Sequence, residues 1–209
     1  MDTSKTISAY LNDLSSSSPT PGGGNVAAFC GVLSSSLGQM VCNLTIGKKK
    51  YADVEDELIL IKDKLAEYSK RFAELASLDN SAFDQVMAAF KLPKETPEEQ
   101  KIRSMKIEEA TLGAAEVPAG VVRLCSEAIL AVREIAAKGN RNSLSDAGVA
   151  GLLLSASARG AYLNVLINCA SLSNRHKADQ LLSETEHLLS SVNEITNQIE
   201  NEIITGLKT

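Results

Sequence analysis

A carboxylate stands where the sequence calls for a buried apolar side chain. Leu58, Ile61, Leu65, Tyr68, Phe72 and Leu75 recur at alternating spacings of three and four, which is one stripe of a long helix. The same spacing continued gives Asp79, Ala82 and Val86, so the helical register runs through the acid on both sides. Burial penalises the charged form of an unpartnered carboxyl and raises its pKa toward the range useful for proton transfer near neutral pH. A lysine partner or a local break in the helix would also account for an acid at this place, and the pattern alone leaves these readings open.

Four further groups could act with it. Pro21-Gly22-Gly23-Gly24 opens a helix, and consecutive glycines let a ligand lie against backbone N–H groups that attract anions or carbonyl oxygens. No Gly-Lys-Ser/Thr follows and no strand precedes it, so it is not a phosphate-binding P-loop, and a tight interhelical turn is the plain alternative. Lys48-Lys49-Lys50, followed by Tyr51, suits an anionic substrate or a solvated helix end. The loop Asn140 to Asp146 offers Asn142, Ser145 and Asp146, of which Ser145 or Asp146 could simply cap the next helix. Asn164 and Asn168 lie one turn apart on a small-residue helix, so their amides share a face and pair with ligand or with protein.

The elements needed to position these groups are all helical. A short amphipathic helix, Ile7 to Leu14, precedes the Ser/Pro/Gly loop; Asn25 is a suitable N-cap for an uncharged helix that Gly47 ends. The striped helix runs from about Val54 to Phe90 and breaks at Lys91-Leu92-Pro93-Lys94. Thr96-Pro97-Glu98-Glu99 has the N-cap, N1 proline and N3 glutamate of a capping box. The helix it starts should kink at Pro118 and stop at Gly139. A helix from about Ala147 to Ser173 and another from about Lys177 to Thr205, stopped by Gly206, complete the chain. No strand-period segment and no repeat is present, so the expected fold is all-α: one domain over residues 1–209, a bundle of long, partly kinked antiparallel helices.

Composition narrows the function. Of 209 residues 4% are aromatic and none is tryptophan, so the core must be built from Leu, Ile, Val and Ala, which favours closely packed helices. A net charge of -5 argues against a general nucleic-acid binder. The uncharged stretch from Asn25 to Ile46 carries Ser34, Ser35, Ser36, Gln39, Asn43 and Thr45, which suits a buried helix of a soluble protein rather than a membrane span. Met1 to Lys5 lead into mixed polar sequence without a signal pattern. Cys30, Cys42, Cys125 and Cys169 are scattered, as reduced thiols of a cytoplasmic protein would be. His176 and His187 are eleven apart, too far for one metal, and read as surface residues, so no metal site is expected.

Four segments in order carry a resemblance. They are 19–28 (PTPGGGNVAA), 47–51 (GKKKY), Asp79 with Ala82-Phe83 and Lys91-Leu92-Pro93-Lys94, and Asn142-Ser143-Leu144-Ser145-Asp146 followed by 160–165 (GAYLNV). Together, and over Ile7 to Ile199, the chain resembles the formiminotetrahydrofolate cyclodeaminase / methenyltetrahydrofolate cyclohydrolase family. The resemblance implies an all-helical folate enzyme, a homodimer or larger, working without a metal or redox cofactor. It implies acid/base work for Asp79, a folate pocket lined by Gly22 to Gly24, and lysines facing the substrate's glutamate tail, which is expected to be polyglutamylated. Asn142 and Asp146 would hold polar pterin edges or position Asp79. Cyclodeamination of 5-formiminotetrahydrofolate is the first expectation and hydrolysis of 5,10-methenyltetrahydrofolate the second; a helical folate-binding or interaction dimer without turnover is the alternative of another class. The family often has serine at the place of Asn25. A formiminotransferase domain is absent from these 209 residues, so the formimino substrate would come from another polypeptide.

Overall fold

A computed structural model describes residues 5–208; Met1 to Ser4, which bear on the absence of a signal pattern, and Thr209 lie outside them. Six α-helices follow in order: α1 Ile7–Leu14, α2 Gly23–Asn43, α3 Glu55–Phe90, α4 Pro97–Lys138, α5 Leu144–Ala170 and α6 Arg175–Lys208. Single 3₁₀ turns, Lys49–Tyr51 and Arg141–Ser143, precede α3 and α5, and no strand occurs among the described residues. The all-helical expectation holds.

Helices α2 to α5 form an antiparallel square, each packed on the next and α5 closing on α2, with α6 laid against α4 and α5. Small residues set the spacing. A Cβ on Gly31 would stand 2.5 Å from the ring of Phe72, and one on Gly38 would stand 3.0 Å from Leu65. The ring-poor chain thus fits its one fully buried phenylalanine into a notch made of backbone. Between α2 and α5 the backbones come close enough for serines to bridge them. Ser34 Oγ donates to Ala150 O at 2.7 Å and Ser157 Oγ to Ala27 O at 2.6 Å, which satisfies hydroxyls that burial would otherwise penalise.

Several helix ends differ from expectation, each for a visible reason. Asn25 does not cap α2: Gly22 is the N-cap, and Asn25 lies buried inside the first turn. Helix α2 ends at Asn43; Gly47 sits beyond it with φ +80, in the left-handed turn that leads to the lysines. Gly139 does terminate α4, in an extended rather than left-handed conformation; a Cβ there would collide with Ile135 O and crowd Val41. Gly206 lies within α6, which continues to Lys208. The Thr96–Glu99 capping box forms as expected.

Pro118 does not break α4, which is one 42-residue helix. The proline lacks the N–H that would bond Ala114 O, and Asn168 Nδ2 supplies a donor there at 3.0 Å. A side chain from α5 thereby replaces a missing rung of α4. Helix α2 also differs from a fully buried core helix. It and the segment Arg141–Ala170 have the length and apolarity of a membrane span, yet one side of each packs into the bundle while Leu33, Met40, Leu44, Val149, Leu152 and Leu163 on the other are exposed.

Because Phe72 fills the notch at Gly31, Phe72→Ala should leave a cavity that a helical backbone cannot collapse into. A loss of about 3–5 kcal/mol in stability is expected, measured as a lower urea midpoint with an unchanged slope.

Candidate active site

The N-terminus of α2, the last third of α3 and the C-terminal end of α5 enclose a cavity of about 330 Å³, with Gly22, Gly23, Gly24, Asp79, Phe83, Asn164, Ile167 and Asn168 in its walls. Asp79 reaches it because α3 carries the acid on the face turned toward α2. The approach is so close that a Cβ on Gly24 would overlap the carboxylate, and one on Gly23 would stand 3.7 Å from Asn164 Nδ2. The glycine run is therefore the space Asp79 occupies as well as a loop.

Burial pushes the Asp79 carboxyl above its ordinary range, and the backbone N–H of Asn25, a hydrogen-bond donor to it, pulls partly back. Asn25 is held from both sides. Its Oδ1 accepts from the Tyr10 hydroxyl at 2.9 Å, and its Nδ2 donates to Ala76 O at 2.7 Å and, at 3.4 Å, to Asn80 Oδ1. One asparagine ties α1, α2 and α3 together beside the acid. The hydroxyl of a serine is too short to span that clamp, which gives the substitution at this place a structural meaning. Tyr10, buried beside the acid, was not singled out by the sequence; that it is one of four tyrosines in a chain with 4% aromatic residues was the signal available.

Asn164 and Asn168 do line the same cavity. Asn164 Nδ2 donates to Gly160 O at 2.9 Å, and Asn168 Nδ2 donates to both Ala114 O and Asn164 O. Their donors are thus engaged within the protein, and their Oδ1 atoms are left as acceptors for a ligand with N–H groups. Thr20 joins the wall, while Pro21 lies beside it in the loop.

The other expected site residues are elsewhere in the chain. Lys50 and Tyr51 line a second cleft of about 560 Å³ with Lys138, Arg141 and Glu202. Lys48 and Lys49 are exposed on the same turn, at the opposite end of α2, about 30 Å from Gly23 at 1.5 Å per residue. Tyr51 is built into that end: its hydroxyl accepts from Arg141 N at 3.1 Å and donates to Asn140 Oδ1 at 3.4 Å. Asn142 and Ser145 are exposed and Asp146 is half-buried in the first turn of α5; none is a side-chain cap, since Ser143 occupies that position without one. Asn140, which the sequence did not single out, organises the loop through Thr45, Leu44 and Asn142. Within one chain Asp146 is therefore about 30 Å of helix away from Asn164 and Asn168 and does not position Asp79. Lys91 caps the exposed end of α3, outside the cavity.

Competing sites are weaker in chemistry. A cleft of about 440 Å³ beside Met105, Leu112 and Leu172 contains Glu108, but that carboxylate accepts from Ser173 N and Asn174 N, both at 2.8 Å, and is held below its ordinary pKa. Burial raises the Cys42 thiol to about 11 and the Cys125 thiol to about 12, too high for a thiolate nucleophile. Among the described residues no three His, Cys, Asp or Glu side chains converge.

A lone desolvated carboxylate at a backbone-lined helix start, with two carboxamide acceptors opposite, is the layout of a protein that moves protons on a nitrogen-rich ligand. Comparison with known sequences agrees with that class. A profile of the formiminotransferase-cyclodeaminase family matches residues 6–187, and the chain belongs to that family. It is 44% identical to the methenyltetrahydrofolate cyclohydrolase of Methylorubrum extorquens, over 93% of this chain and 94% of that one. It is 32% identical to the formimidoyltransferase-cyclodeaminase of Rattus norvegicus over 89% of this chain but only 34% of that longer protein. The crystal structure of formiminotetrahydrofolate cyclodeaminase from Thermotoga maritima superposes with a TM-score of 0.87, at 28% identity and 96% coverage of each chain.

Two expectations follow from the crowding at Asp79. Gly24→Ala must rotate the carboxylate away, and a loss of about 10²-fold in turnover is expected from misplacement alone, with the helical circular dichroism unchanged. Asp79→Asn removes a charge that burial disfavours. A raised folded-state pKa means that stability is greatest while Asp79 is protonated and falls as pH rises through that pKa. The Asp79→Asn variant should then melt above the wild type at pH 7, with the gain shrinking as the pH is lowered past the carboxyl's titration; equal melting temperatures at pH 7 would contradict a desolvated acid.

Proposed function

We propose that the protein is a cytoplasmic folate enzyme that forms 5,10-methenyltetrahydrofolate from 5-formiminotetrahydrofolate, with release of ammonia and without a metal or redox cofactor. The observation that carries the reading is Asp79: one desolvated carboxyl, fixed by the N-terminus of α2, inside the cavity of a chain of this family. The reaction needs a proton removed from one nitrogen and delivered to another. The formimino group reacts as its amidinium cation, N5–CH=NH2+; N10 attacks its carbon to give a tetrahedral centre between N5 and N10, and the positive charge ends on the methenyl product. Asp79, ionised, takes the N10 proton; the protonated acid then returns it to the exocyclic nitrogen, the carbon–nitrogen bond breaks, and ammonia leaves. Proton and electron pair balance without another reactant, and the Asp79 carboxylate is regenerated. The Oδ1 acceptors of Asn164 and Asn168 suit the N–H edge of a pterin, and the open backbone at Gly22 to Gly24 lets the ring lie close. The substrate is proposed to be polyglutamylated; neither nucleic acid nor membrane takes part.

One observation favours a second reading. The 44% identical relative that matches end to end is named a cyclohydrolase. In that reaction water adds to the methenyl carbon, the carboxylate accepts one proton from the added oxygen and passes it to N5 as the N5–carbon bond opens, and the remaining hydroxyl proton is released to solvent as the C=O of 10-formyltetrahydrofolate forms. The same acid and the same tetrahedral carbon serve both.

Purified protein incubated with each folate separates them. Growth of the methenyl absorbance in the near ultraviolet with stoichiometric ammonia supports cyclodeamination. Decay of that absorbance without ammonia supports cyclohydrolysis, and no change with either substrate overturns both. With the active substrate, Asp79→Asn should lower kcat about 10²–10⁴-fold. Since the base must be ionised, kcat/KM should fall on the acid side through the raised pKa of Asp79, above the ordinary 3.8 of an aspartate.

A further inference from the structure

Helix α1 is joined to the rest of the molecule by one buried side chain. No other helix packs along it, and Ile7 and Leu11 on its surface are exposed. Tyr10 is its only buried residue, at 6% exposure. The ring leans on Phe29 of α2, with centroids 5.4 Å apart, and the hydroxyl donates to Asn25 Oδ1 at 2.9 Å. A helix of eight residues is too short to hold itself in water, so α1 depends on that docking. Neither Tyr10 nor Asn25 lines the Asp79 cavity, and the proton transfers described above make no use of the tyrosine.

The direction of each hydrogen bond at Asn25 is fixed by its partner. Ala76 O can only accept, so the amide must turn Nδ2 toward it, at 2.7 Å. Oδ1 then faces Tyr10, which must donate. Asn25 is 1% exposed, so solvent cannot stand in for that donor. Burial, with Cys30 and Asp79 nearby, holds the Tyr10 hydroxyl above its ordinary pKa, so it stays protonated and remains a donor. Asn25 is also the third residue of α2, where a backbone N–H has no intrahelical acceptor, and that N–H is the donor to the Asp79 carboxylate. One residue thus serves the acid with its main chain and is held in place by its side chain.

We propose that Tyr10 is a positioning residue for Asp79: its hydroxyl fixes the Asn25 amide, the amide fixes the first turn of α2, and the Asn25 N–H is thereby held on the carboxylate. The inference rests on the folate reading and deepens it, by giving α1 a part in the proton chemistry. Removing the hydroxyl leaves Oδ1 as a buried acceptor without a donor, which costs more than the bond itself contributes. The amide turns to find a partner, the first turn of α2 follows it, and the carboxylate loses a donor that offsets its burial. An acid with fewer donors takes up its proton at higher pH. Few other groups bear on that titration. Asp79 is the only charged side chain in the cavity wall, where α4 contributes Ala114 and α5 contributes Asn164 and Asn168. Cys30 of α2, beside Tyr10, is the remaining titratable group, and burial raises its thiol and keeps it neutral.

Tyr10→Phe in the full chain keeps the ring against Phe29 and, since α1 lies outside the α2–α5 square, should keep the helical circular dichroism. With the active folate, its kcat should fall about threefold to tenfold, the scale of one neutral hydrogen bond. KM should not change, and the acid limb of kcat/KM should move to higher pH. The same shift should be read without substrate, in the carboxyl-carbon NMR titration of protein labelled in its aspartates, where Asp79→Asn identifies the resonance. In an Asn25→Ala background Tyr10→Phe should shift nothing further, because the hydroxyl acts through the amide. A limb and a resonance that stay in place in Tyr10→Phe, even with a lowered melting temperature, make the tyrosine structural only and overturn the proposal. A raised KM with unchanged kcat, or an equal further shift in the Asn25→Ala background, overturns it too, since the hydroxyl would then reach substrate or acid directly. A wild type without turnover would defeat the folate reading alone, and the carboxyl titration would still decide the part played by Tyr10.

Discussion

The contact between the start of α2 and the Asp79 carboxylate constrains everything around it. A carboxylate buried this far survives only where backbone donors face it, and donors can come this close only where no Cβ intervenes. Gly24 provides the missing Cβ and Asn25 the N–H. The side chain of Asn25 then fixes the height of α2 against α3 through Ala76 O, and Tyr10 closes the network from α1. Shifting α2 along α3 by one residue would bring a Cβ toward the acid and turn the amide clamp away. The active register and the packing register are the same register.

That coupling explains why the bundle is built from small residues. Large aromatic side chains would hold the helices apart and move the start of α2 away from Asp79. Gly31, Gly38, Ser34 and Ser157 keep the backbones close along the whole length, and serine hydroxyls bonded to carbonyls of the neighbouring helix replace side-chain bulk with direct connections. The cost of burying the acid is accepted at one point, while Phe72, Leu65, Leu154 and Ile199 supply apolar burial elsewhere. The bond from Asn168 to Ala114 O shows the same economy: the proline in α4 frees a carbonyl, and the residue that answers it also faces the cavity.

The helices and Asp79 were legible in the sequence because they express periodicity, and periodicity is local. The stripe from Leu58 to Leu75 forces Asp79 inward regardless of what α3 packs against. Helix ends were less legible where their cause is tertiary. Gly22 caps α2 because the loop before it returns from α1, and α4 continues through Pro118, where Asn168, on a different helix, donates to the freed carbonyl. The grouping of Lys48 to Lys50, Asn142 and Asp146 with Asp79 came from motif order, which is silent on how far apart the fold places them. In the folded chain they stand a helix length apart.

This separation is itself informative about how the protein distributes its charge. With a net charge of -5, an anionic substrate meets repulsion over most of the surface, and the lysine turn is a local exception. Placed beside its own Asp79, that turn would draw the carboxyl's pKa down by Coulombic attraction and weaken it as a proton donor to a departing nitrogen. At the far end of α2, the lysines leave desolvation in control of the acid. A helix of 21 residues is the spacer that keeps the positive charge of the lysine turn away from the acid within the chain.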